Sequence, residues 1–166
     1  MNILVTHGRV VDPASGVDQQ ADIAIADGKI AGIGAIPAGF TAERTIDATG
    51  CIVAPGLVDL AARLREPGYE HEGMLGSEMA AAVAGGVTSL VCPPDTDPVL
   101  DEPGLVEMLT FRAGKLPGAR LFPLGALTRG LAGGVLTEMA ELTERGCVGF
   151  SPVSYTHLTL PTILLV

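Results

Sequence analysis

Residues 55–68 have the sequence Pro-Gly-Leu-Val-Asp-Leu-Ala-Ala-Arg-Leu-Arg-Glu-Pro-Gly, the most informative pattern in the chain. The apolar run at residues 57–60, bounded by a Pro-Gly pair on its N-terminal side, predicts a strand. Side chains two residues apart on a strand point to the same face. We therefore expect Ala61 and Arg63 to lie on one side of the end of this strand.

Helices and strands are predicted to alternate after this stretch. Helices are expected to begin at Ser77, Pro103 and Leu136, and apolar strands at residues 87–92, 121–124 and 147–151. Such alternation favours a parallel β/α architecture. A complete eight-stranded barrel needs roughly 250 residues, so residues 55–151 are expected to supply about half of one.

The first 54 residues predict a small β segment of short strands and turns. Residues 22–26 and 29–34 flank Asp27-Gly28, which is a strong hairpin signal because both turn positions favour positive φ. Residues 45–47 and 51–53 are predicted to form a second pair around Gly50.

The motifs on either side of Ala61 resemble the signature of the dihydroorotase branch of the amidohydrolase superfamily. Pro-Gly-Leu-Val-Asp precedes this position and Leu-Arg-Glu-Pro-Gly follows it, while residues 92–98 resemble a Met-Pro-Asn-Thr-x-Pro loop of that family. The resemblance covers residues 3–151. It implies the N-terminal part of an amidohydrolase, with a small β-sandwich segment at residues 1–54 and the first half of a TIM-type β/α barrel at residues 55–151.

In active members of this family the first barrel strand ends in His-x-His, and Ala61 and Arg63 occupy the two histidine positions. A hydrolytic zinc site needs imidazole or carboxylate lone pairs that converge on one point. Ala61 offers no lone pair, and Arg63 places a permanent cation there. We therefore expect no metal and no catalytic residue, although active relatives hold zinc. The alternative is an ordinary barrel strand that never carried a site.

The resemblance also implies a vestigial substrate pocket at Arg65 and Asp95. Active dihydroorotases place an arginine at the position of Arg65, where it binds the substrate carboxylate through two hydrogen bonds. The family asparagine is replaced by Asp95, whose charge is expected to repel that carboxylate and to neutralise Arg65. A structural salt bridge with a loop carboxylate is then the expected role of Arg65. A metal-site aspartate of the family would directly follow Ser151.

The composition restricts the partners and the compartment. The net charge is −9, which disfavours nucleic acid and anionic membranes as partners. No secretion signal or membrane-spanning apolar run is evident. The three cysteines, Cys51, Cys92 and Cys147, are predicted to be buried thiols in a cytoplasmic protein.

Residues 152–166 do not continue the preceding pattern. Residues 153–162 resemble one reading frame of a transposon adapter used in sequencing libraries. We expect residues 152–166 to be adapter read-through and the native coding sequence to stop at Ser151. For this reason His157 is not treated as a ligand or base.

Together these patterns predict a non-catalytic dihydroorotase-like protein of pyrimidine biosynthesis. Arg-Glu-Pro-Gly-Tyr from Arg65, Ala-Gly-Gly-Val-Thr-Ser-Leu from Ala84 and Cys-Pro-Pro from Cys92 resemble the group that acts as a scaffold for aspartate carbamoyltransferase. That resemblance implies a hetero-oligomer with the catalytic subunit of this partner. Two alternatives remain open, an active dihydroorotase and a related cyclic-amide hydrolase such as an allantoinase.

Overall fold

The computed structural model describes residues 1–152, and the chain forms two compact units, Met1–Pro55 and a second that begins at Gly56. The adapter prediction concerns residues 152–166, of which all but Pro152 lie outside the described residues. The resemblance implies a metal-site aspartate directly after Ser151. This chain has Pro152 at that position, and Pro152 is the last described residue. No helix within residues 1–152 is both long and apolar enough to cross a membrane.

The first unit is a five-stranded sheet. Its strands are β1 (Ile3–Asp12), β2 (Val17–Ala26), β3 (Lys29–Ile33), β4 (Arg44–Asp47) and β5 (Ile52–Val53). β1 pairs with β2 and β2 pairs with β3, both antiparallel. The predicted hairpin at Asp27-Gly28 is confirmed, with φ of 51° and 72° at its two turn residues.

The second predicted pair in this unit is wrong, because β4 and β5 do not pair with each other. Both run parallel to β1, β4 beside its first half and β5 beside its second. The connecting residues also bond to β1, since Ala48 N–H donates to Thr6 O at 2.8 Å and Arg9 N–H donates to Cys51 O at 3.0 Å. The chain therefore continues along the same edge of β1 and does not fold back at Gly50.

The second unit is a four-stranded parallel sheet with strands in sequential order. Its strands are β6 (Leu57–Asp59), β7 (Val87–Cys92), β8 (Arg120–Ala126) and β9 (Gly149–Ser151). The helices between them are α1 (Leu75–Ala84), α2 (Pro103–Gly114) and α3 (Met139–Glu144), with a short 3₁₀ helix at Arg129–Leu131. This order confirms the predicted β/α alternation.

Helix α1 begins two residues before the predicted Ser77. The N-cap residue before the helix, Met74, has no side-chain oxygen, so other groups must satisfy the first backbone N–H groups. The Leu75 N–H donates to the carboxylate of Glu66 at 2.8 Å, and the Met74 N–H donates to the Ser77 hydroxyl at 3.3 Å. These two acceptors set the start of the helix.

Helix α2 begins at Pro103 as predicted, whereas α3 begins at Met139 and not at Leu136. The Thr137 hydroxyl donates to Ala126 O at 2.6 Å. This bond holds the residues before α3 against the end of β8, so they cannot enter the helix.

Burial of the cysteines differs from the prediction at one position. Cys92 and Cys147 are buried in the core of the second unit, and burial raises the pKa of each thiol to about 11. Cys51 is exposed, so its predicted burial is wrong. It directly precedes the two-residue strand β5. The other large core side chains of the second unit are Leu64, Leu75, Met79, Leu90, Leu100, Val106, Leu109 and Leu142.

Candidate functional site

The candidate site lies where β6 and β7 end, at the face of a β/α barrel that carries ligands and catalytic groups. Beyond Asp59 the chain stays beside β7, because Ala62 N–H donates to Val91 O at 3.0 Å. Ala61 N–H donates to the Asp59 carboxylate at 2.9 Å, and its methyl group is exposed. The predicted positions Ala61 and Arg63 are therefore both at this strand end.

Arg63 forms an ion pair with Asp95 across the two strand ends. Arg63 Nε lies 2.7 Å from Asp95 Oδ2, and the side chains are 33% and 24% exposed. A hydrogen bond between two charged groups at this distance is among the stronger polar contacts in proteins. The pair joins the loop after β6 to the loop after β7.

Arg65 forms the predicted salt bridge with a loop carboxylate, but its partner is Glu72 and not Asp95. Its Nε lies 3.0 Å from Glu72 Oε2, and both side chains are more than 40% exposed. The expectation that Asp95 neutralises Arg65 is wrong, because Asp95 is bound by Arg63. Arg65 adopts φ of 65°, outside the extended region, so the alternation of strand side chains does not continue to this residue.

The space between the two loops is small. The residues around it are Arg63, Leu64, Arg65, Cys92, Pro93, Asp95 and Thr96, and the cavity measures about 10 Å³. That is about the space of one water. Pockets for small molecules measure about 300–1,000 Å³. These loops therefore bring the two residues of the predicted substrate pocket to one place without forming a ligand-sized pocket between them.

The donor atoms at these strand ends do not fit zinc. Ala61 supplies no lone pair, Arg63 is a cation, and the Asp95 carboxylate is already bound by it. Residues 1–152 contain no group of three or more His, Cys, Asp or Glu side chains able to hold a metal ion. Of the histidines in this range, His7 lies 3.2 Å from Asp47 in the first unit, and His71 is an exposed loop residue beside Glu72.

Comparison with known proteins shows the family to which this chain belongs. A family model described as dihydro-orotase-like matches residues 50–156. The chain belongs to this dihydroorotase-like family. Proteins named dihydroorotase-like from Pseudomonas aeruginosa and Pseudomonas putida are each 52% identical to it, over 91% and 90% of this chain. A dihydroorotase from Syntrophotalea carbinolica is 41% identical over 95% of the chain.

Solved structures support the amidohydrolase fold of this dihydroorotase-like chain. An L-hydantoinase from Arthrobacter aurescens matches 89% of the chain with a TM-score of 0.70 and 30% identity. A D-hydantoinase matches 87% of it with a TM-score of 0.64 and 26% identity. The matches span 32% and 29% of those structures and 35–38% of the curated relatives named above. The chain thus spans about a third of the proteins that it matches, and the predicted half-barrel fold is confirmed.

Sequence reasoning missed one buried residue of the family signature, Glu66. Its side chain is almost fully buried, and one carboxylate oxygen accepts the Leu75 N–H at 2.8 Å. The other oxygen forms an ion pair with Arg112 of α2. The signal available in the sequence was Met74, because a helix whose N-cap residue has no side-chain oxygen needs an acceptor from elsewhere.

The glycine of the same signature, Gly68, allows the two loops to approach closely. Gly68 has φ of 98°, and a Cβ built there would lie 2.1 Å from Asp97 O. The neighbouring Pro67 O accepts the Asp97 N–H at 3.1 Å. Any side chain at position 68 would separate these loops.

Proposed function

We propose that this dihydroorotase-like chain belongs to a non-catalytic protein that acts as a scaffold for aspartate carbamoyltransferase in pyrimidine biosynthesis. The observation that supports the proposal most directly is the ion pair between Arg63 and Asp95, 2.7 Å apart at the ends of β6 and β7. A guanidinium at this place cannot ligate zinc, and the hydrolytic reaction of the family depends on a metal-activated water.

The relatives with the higher identity carry a different name from the others. The two relatives at 52% identity are named dihydroorotase-like proteins, while those at 40–43% are named dihydroorotases. A fold retained without its chemistry can still serve binding. In this proposal the protein is cytoplasmic and forms a hetero-oligomer with the catalytic subunit of aspartate carbamoyltransferase.

The second candidate is an active dihydroorotase or a related cyclic-amide hydrolase such as an allantoinase. It is favoured by the relatives named dihydroorotase, among them the Syntrophotalea carbinolica protein at 41% identity. The uninterrupted gene distinguishes the candidates. Histidines and an aspartate at the later strand ends would favour the enzyme, and their absence would favour the scaffold.

The direct test uses the full-length protein from the uninterrupted gene, expressed with and without aspartate carbamoyltransferase from the same source. We expect the two proteins to elute together from a sizing column, and transcarbamoylase activity or stability to fall when the dihydroorotase-like protein is omitted. We also expect no dihydroorotase turnover. Separate elution with unchanged transcarbamoylase activity would refute the scaffold, and dihydroorotase turnover would establish the second candidate.

A repair series tests the proposed loss of chemistry. Ala61→His with Arg63→His restores both imidazoles but leaves Asp95 facing the substrate carboxylate, so we expect no turnover. Only addition of Asp95→Asn is expected to give detectable hydrolysis of dihydroorotate. Full activity from the two histidine changes alone would show that the Asp95 charge is no obstacle.

A further inference from the structure

We propose that the Arg63 guanidinium is a built-in structural cation that takes the place of the family's metal at the ends of β6 and β7. The proposal goes beyond the scaffold function, which requires only that catalysis be absent. It shares with that function the premise that no metal occupies this position, and it does not depend on a partner enzyme.

The contacts around the pair show what it connects. The loops after β6 and β7 are joined by one backbone bond near the sheet, Ala62 N–H to Val91 O at 3.0 Å. They are joined again farther out, where Asp97 N–H donates to Pro67 O at 3.1 Å. In sequence along both loops, Arg63 and Asp95 lie between these two bonds. Their ion pair is therefore a polar side-chain link that joins the two loops between these backbone bonds.

Partial burial makes this link matter more than a surface ion pair. Asp95 is only 24% exposed and Arg63 only 33%, so removal of either charge leaves its partner incompletely solvated. Arg63 compensates the Asp95 carboxylate from within the chain, so this site needs no metal ion to balance its charge.

Arg65 and Glu72 provide a matched comparison in the same segment. Their Nε–Oε2 distance is 3.0 Å, but the side chains are 42% and 45% exposed. Both residues belong to the loop after β6, so this pair joins no two strands. Exposed pairs of this kind contribute little to stability.

The test is a double-mutant cycle in the full-length protein, read as the midpoint of thermal unfolding at one scan rate. The variants are Arg63→Met, Asp95→Ala and their combination, with Arg65→Met, Glu72→Ala and their combination as the control cycle. We expect each single change at Arg63 or Asp95 to lower the midpoint by roughly 3 °C or more, and the double variant to lose clearly less than the two changes added together. The control cycle is expected to be additive, with shifts of about 1 °C.

Two further measurements complete the experiment, one with chelator or added zinc and one on a variant in which the two charges are exchanged. Neither chelator nor added zinc is expected to move the wild-type midpoint, and a rise with zinc would overturn the proposal. Additive losses in the cycle at Arg63 and Asp95 would also overturn it. If Arg63→Met is insoluble, solubility of the charge-exchanged variant Arg63→Asp with Asp95→Arg supports the ion pair, and its insolubility counts against it. If the wild-type protein does not bind transcarbamoylase but the changes at Arg63 and Asp95 are still non-additive, only the scaffold function is refuted.

Discussion

Replacement of Glu66 by alanine should strongly destabilise the full-length protein, because its buried carboxylate accepts the first backbone N–H of α1. The lost hydrogen bond from the Leu75 N–H, 2.8 Å long, is to a charged acceptor and costs about 1.5–3 kcal/mol. Arg112 is 49% exposed, so its ion pair adds only about 0.5–1 kcal/mol. The removed methylene adds about 0.8 kcal/mol. We expect a total loss of about 3–5 kcal/mol in the free energy of unfolding.

The assay is urea unfolding monitored by circular dichroism. The dependence of the free energy of unfolding on urea concentration should be the same for all variants. Glu66→Gln keeps an acceptor for the Leu75 N–H and should lose only about 1–2 kcal/mol. The control is Glu107→Ala on α2, because Glu107 and its partner Arg145 are both more than half exposed. That change should cost less than about 0.5 kcal/mol. A loss below about 1 kcal/mol for Glu66→Ala would show that the buried carboxylate does not hold the start of α1.

Four further results are expected. Gly68→Ala should lower the free energy of unfolding in urea by more than about 2 kcal/mol, because its Cβ would meet a backbone oxygen of the facing loop. The control Gly104→Ala on α2, where a Cβ would have no neighbouring atom within 4 Å, should be neutral or stabilising. At pH 8 a thiol reagent should label Cys51 and spare Cys92 and Cys147. Because burial raises the pKa of these two thiols to about 11, the free energy of unfolding should fall as pH rises from about 8.5 toward 11, measured by urea titration at each pH. Elemental analysis of the full-length protein purified without chelator should find less than about 0.1 zinc per chain.

Local signals predicted the elements whose conformation depends mainly on neighbouring residues. Asp27-Gly28 adopts positive φ at both turn positions whatever surrounds it, and the hairpin between β2 and β3 follows. Pro103 similarly predicts the start of α2, because its fixed φ suits the first turn of a helix.

Contacts between residues distant in sequence were harder to predict. Strand alternation places residues 61, 63 and 65 on one face, so it cannot decide which arginine meets Asp95. The positive φ of Arg65 removes that residue from the series, and the partner of Asp95 is Arg63, 32 residues away. The failed pairing around Gly50 has the same origin, since β4 and β5 both find their partner about 40 residues earlier in β1.

The roles of Glu66 and Gly68 have a consequence for how this family signature persists. Glu66 binds the first turn of α1, and Gly68 lets two loops touch, so both residues are required by folding alone. Selection for a folded chain is enough to retain them, whether or not the protein hydrolyses a substrate. Arg-Glu-Pro-Gly is therefore a marker of ancestry and architecture. Whether a chain with this motif can hold the family's metal is read instead from positions 61 and 63, where this chain has Ala61 and Arg63.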